Sequence, residues 1–118
     1  MQKLSLDALA REQLELATSA GSGRSARTVF GGHERMLRQT VIAMLAGTSM
    51  AEHVSPGEAT LYVLRGRVRL HACGTSWDGR AGDLLVVPEA RHSLDALQDS
   101  AVILTVVKPS PPSGNSGG

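Results

Sequence analysis

Two histidines, His53 and His92, are the side chains whose setting could do chemistry. His53 follows Gly47 with five residues between, and His92 lies just beyond Pro88, which follows Gly82 at the same interval. Neutral imidazole is a common ligand of Fe, Mn, Ni or Zn, so the pair could hold one divalent ion. A site of two histidines and one carboxylate also needs an acid on the same face. Alternation along an extended segment puts Ala59, Leu61 and Val63 on one face and Glu58, Thr60 and Tyr62 on the other. Glu52 and Glu89 adjoin the histidines in sequence and have the same parity problem. The alternative is a mainly apolar pocket in which His53, Ser55 and His92 are the few polar groups, hydrogen-bonded rather than metal-bound. Ser55 lacks the orienting acid and elbow turn of a nucleophile and reads as a Ser-Pro turn residue.

The combined spacing of Gly47 to His53, Ala59 to Gly66, and Gly82 through Pro88 to His92 resembles the two-part signature of the cupin superfamily. In that comparison Ser55 stands where a second histidine would be, and Ala59 where a glutamate would be. The likeness runs from Thr40 to Lys108. The segments Leu61 to Gly66 and Gly82 to Pro88 are similar to strand-turn segments of small RmlC-like cupins. The resemblance implies an all-β fold, an antiparallel jelly-roll β-barrel, with Ala59, Leu61 and Val63 facing inward. It also implies a homodimer through an outward sheet face. Two functions follow from it. One is a non-catalytic module that binds or senses a small organic ligand, with His53, Ser55, Leu61, Val63 and His92 lining the pocket. The other is a metal-dependent isomerase or oxygenase with His53 and His92 as ligands of Fe, Mn, Ni or Zn. The loss of two of the family's ligands favours the first.

The elements that must position these residues are legible as three segments. Ser5 suits a helix N-cap, and Leu6, Leu9, Ala10, Leu14, Leu16, Ala17 and Ala20 recur at helical spacing, predicting an amphipathic helix over 5–20. With its linker it fills residues 1–26. Residues 27–108 form the barrel, with strands near Val29-Phe30 and over 37–45, 59–64, 67–72, 84–87, 92–97 and 101–107. Beyond the Arg65-Gly66 turn, Val68 and Leu70 are expected inside the barrel. Tyr62 and Leu64 face outward, leaving an apolar strip for the helix or a second subunit to cover. Residues 109–118, rich in Ser, Pro and Gly, read as a disordered tail.

Composition narrows the function classes. The 118 residues are 42% hydrophobic, enough for one core, and no apolar run reaches the ~20 residues of a membrane helix. A net charge of +1 argues against a nucleic-acid footprint, and Arg65, Arg67 and Arg69 read as a solvated basic strip. The N-terminus has no apolar signal core, so the expected location is the cytoplasm. The single cysteine, Cys73, has no partner for a disulfide.

Overall fold

The computed structural model describes residues 1–54 and 57–108, with His53 through its backbone alone. Ser5 caps helix α1 (Leu6–Ser19) by accepting from the Ala8 amide at 3.2 Å. Leu9, Ala10, Gln13 and Ala17 form its buried face. Leu16, expected on that face, is 53% exposed. Gln13 takes a central place, accepting from the Ser25 hydroxyl through its carbonyl at 2.7 Å and its side chain at 2.8 Å. A buried glutamine with its acceptors satisfied breaks no packing rule, but a purely apolar pattern passes it over.

Nine strands follow: β1 (Arg24–Phe30), β2 (Leu37–Met44), β3 (Ser49–Val54), β4 (Glu58–Arg65), β5 (Arg67–Ala72), β6 (Thr75–Arg80), β7 (Leu84–Val87), β8 (Arg91–Ala96) and β9 (Ser100–Val107). They make two antiparallel sheets, β1-β2-β9-β4-β7 and β3-β8-β5-β6, packed face to face as a jelly roll. Strand β1 begins ahead of the expected boundary at Arg27. Strands β3 and β6 were not expected. Both are edge strands, and Ser49, Glu52, Asp78 and Gly79 dilute their apolar alternation. Pairing to β8 and β5 holds them extended. Residues 109–118, expected to form a tail, lie outside the described residues.

The core lies between the sheets. Ala59, Leu61 and Val63 of β4 and Val68 and Leu70 of β5 are buried there, as the alternation predicts. On the outer face of the five-stranded sheet, α1 packs Leu6 and Leu9 against Val41, Ile103 and Leu64. Leu64 is thus covered by the helix, whereas Tyr62 stays partly exposed beside Leu84 and Val86.

The three arginines do not make one strip. Arg65 turns to the helix and pairs with Asp7 at 2.7 Å. Arg67 and Arg69 lie on the outer face of the other sheet, and both bond Asp78, at 2.8 and 2.6 Å. Their hydrogen bonds, that from Arg69 first, and then their charge hold the Asp78 carboxyl well below the usual carboxylate range. A solvated basic patch is therefore replaced by an ion-paired ladder.

Candidate functional site

Strand register builds the site. Ala72 pairs with His92, and His92 with His53, so the two histidines occupy one rung of the four-stranded sheet. The next rung in carries Leu70 and Leu94, with Met50 beyond. Across the barrel, Val87, Ala59, Val106 and Arg38 form the corresponding rung of the five-stranded sheet. Residues far apart in sequence thus meet at one open end.

His92 is buried, and its Nδ1 lies 2.9 Å from the Ala90 carbonyl oxygen. With Nδ1 as donor to that carbonyl, Nε2 is the acceptor. The ring borders a partly open cavity of about 30 Å³ whose walls include Ile42, Met50, Leu61, Val87 and Leu104. Such a space admits one water or a single small substituent. Val63 packs deeper, where its side chain and Leu85 close over Gly79, and so belongs to the sealed end of the barrel. Ser55 lies outside the described residues, and the His53 rung position comes from the backbone.

The described residues do not fit a family metal. Ala59 stands at the rung where a carboxylate would be needed and presents a methyl group in the core. Among the described residues, no group of three or more His, Cys, Asp or Glu could hold an ion. Of the nearby acids, Glu52 pairs with Arg91 at 3.4 Å, and Glu58 is exposed at the outward position of β4.

His71, on the outward side of the same sheet, meets Asp95 at 2.7 Å through Nε2. Ser49 donates to the other Asp95 oxygen at 2.6 Å. These two bonds, that from Ser49 first, depress the Asp95 carboxyl. The serine bonds the acid rather than the imidazole, so this trio is a cross-strand brace and not a nucleophile relay.

Two residues at the open end escaped sequence reasoning. Arg38 shares the inward face with Thr40 and Ile42, pairs with Val106, and is exposed. None of the ion pairs among the described residues uses it. The other is Trp77 on β6, which pairs with buried Leu70 and shares its inward side. A signal for Trp77 was present: Cys73-Gly74 is a two-residue turn with both φ values positive, which pairs Ala72 with Thr75 and therefore Leu70 with Trp77. For Arg38 there was none, because the β2–β9 register joins segments too far apart to count across.

Two antiparallel sheets closed around an apolar core, with His92 buried on the inner side of one, define a jelly-roll protein of the cupin kind. A cupin domain profile matches residues 40–108, and the chain belongs to the cupin superfamily. Among solved structures, it is similar to a conserved protein of unknown function from Streptococcus pyogenes, at 26% identity and a TM-score of 0.70, covering 77% of this chain and 79% of that one. An RmlC-like cupin from Shewanella frigidimarina aligns at 23% identity and a TM-score of 0.65, over 74% of this chain and 78% of that one. A cupin superfamily protein from Desulfitobacterium hafniense aligns at 14% identity and a TM-score of 0.66, over 72% and 77%. The last two likenesses concern the fold. Among curated proteins none matches the chain.

Proposed function

We propose that this cupin is a non-catalytic module that binds a small organic acid at the open end of its barrel. One observation carries the reading: a buried histidine borders a space walled by aliphatic side chains. The other buried polar side chains serve the scaffold, Gln13 beneath the helix and Ser100 at the β8–β9 connection. On the inward side of the barrel, His92 offers a carboxylate an Nε2–H hydrogen bond when it is imidazolium, and Arg38, inward on the other sheet, a fixed positive charge.

Titration calorimetry with benzoate and hexanoate tests this. Only an imidazolium has a second N–H to give a carboxylate, so affinity is expected to be higher at lower pH. His92→Ala and Arg38→Ala should each weaken binding about tenfold or more, the loss of one charge-assisted bond. A chelator should leave the titration unchanged. Binding that is abolished by the chelator and restored by one divalent metal would return the site to the metal-dependent reading.

We also propose that a second copy covers the face left open beside the helix. Tyr62, Leu84 and Val86 are neighbours there, Val86 is 64% exposed, and β7 is an edge strand. A two-fold dimer buries such a patch and protects the edge. Light scattering should give about twice the 12.4 kDa chain mass, and Val86→Lys should return it to one chain. A monomer at high micromolar concentration refutes the dimer.

A further inference from the structure

The seam between edge strands β6 and β7 closes at one end and gapes at the other. At Gly79 the absent side chain lets β6 lie close over Leu85, whose Cδ1 is 3.0 Å from where a Cβ would stand. Toward the Cys73-Gly74 turn the edges part around a cavity of about 170 Å³. Its lining is Leu70, Ala72, Cys73, Thr75, Trp77 and Pro88. Leu70 also borders the cavity beside His92, so one leucine side chain separates the two spaces.

Trp77 is the feature that needs an occupant. It shares the inward side with Leu70, which is 2% exposed, yet Trp77 itself is 53% exposed. An indole on the inner side of a sandwich that stays half exposed has forgone the burial that its large apolar surface favours. A dry apolar cavity near 150 Å³ is known to take one benzene ring. The space at Trp77 is of that size, large enough for a single ring.

We propose that this seam is the access route and ring subsite of the barrel: a single aromatic ring packs on Trp77, between Pro88 and Leu70, with its acidic substituent directed inward past Leu70 toward His92. The inference rests on the acid-binding reading above and adds the ligand's shape, a monocyclic aromatic acid, together with the path it takes. An aromatic pair adds about 0.5–1.5 kcal/mol beyond area burial, which corresponds to a preference of up to about tenfold over a saturated ring.

Trp77 is the only tryptophan and Cys73 the only cysteine, so each reports on the seam without background. The full chain is titrated with benzoate and with cyclohexanecarboxylate while Trp77 emission, the rate of Cys73 alkylation by iodoacetamide and binding heat are followed. Benzoate is expected to change the emission saturably and to slow alkylation at the same midpoint. Trp77→Leu should weaken benzoate about five- to tenfold and cyclohexanecarboxylate less than about twofold, and Trp77→Phe should recover most of the loss. If benzoate binds by heat and loses affinity in His92→Ala, yet Trp77 and Cys73 are silent, the acid-binding reading stands and the seam proposal is wrong. If both reporters respond and His92→Ala has no effect, the ring subsite stands and His92 is not the acid's partner. If neither heat nor reporters respond to benzoate, both are refuted.

Discussion

Deletion of residues 1–20 is expected to leave a chain that is unfolded or insoluble. Helix α1 lies over Val41 and Ile103, both buried, and over Leu64. Removing it exposes these on a sheet face that already presents Tyr62, Leu84 and Val86, joining two patches into one broad apolar surface. Burial of a leucine contributes about 1.5–3 kcal/mol, and a domain's whole stability is about 5–15 kcal/mol. Loss of Leu9 and its neighbours is therefore comparable to what holds the fold. A point variant isolates the cause: Leu9→Ala should lower the unfolding free energy by about 2–4 kcal/mol, and Leu16→Ala by less than about 0.5 kcal/mol. Urea melts of the two variants check this. A soluble, cooperatively folding fragment 21–108 would show that the helix is a separate arm rather than part of the core.

Gly66→Ala should be nearly as damaging, although it adds one methyl group. Gly66 joins β4 to β5, and so carries the chain from one sheet to the other. Its φ of +81° lies in the left-handed region, where a side chain costs about 1–2 kcal/mol. A Cβ there would also meet the Asp99 carbonyl oxygen and the Ser100 hydroxyl, with the Ser100 Cα at 2.8 Å. Those neighbours cannot simply give way. The Ser100 hydroxyl accepts from the Arg67 amide at 3.0 Å and donates to the Gln98 carbonyl at 2.8 Å, and the residue is 1% exposed. We expect a loss of more than about 3 kcal/mol. Gly47 provides the contrast: its φ is +88°, but nothing lies within 4 Å of a Cβ there. Gly47→Ala should cost only the conformational term, about 1–2 kcal/mol. Equal melting temperatures for the two variants would show that the Asp99-Ser100 segment can shift after all.

Much of the scaffold was legible because local rules governed it. Ser5 and the leucine spacing determined the helix, since a cap and a period of 3.6 act within a few residues. Alternation placed Leu61, Val63, Val68 and Leu70 inside, because a strand must turn every second side chain the same way. The glycine and histidine spacings pointed to the cupin fold through the positions at which such a chain must turn. Where polar residues interrupted the period, as in β3 and β6, the sequence carried too little signal. Those strands exist because β8 and β5 offer their free edges.

The site divides in the same way. The sequence alone determined that His53 and His92 are the histidines in the matched spacing and that Ala59 supplies no donor. Only the tertiary structure decided that the histidines share a rung, that Arg38 pairs with Val106 on the inward side of the other sheet, and that Trp77 flanks a gap between two strand edges. It also decided that Val63 packs over Gly79 away from His92, and that Arg67 and Arg69 share one aspartate on the neighbouring strand. The physical reason is common to all of these. Which face a residue takes is fixed by its own neighbours in the chain, but which residue it meets depends on register between strands that are distant in sequence. That register is set by the packing of the whole core.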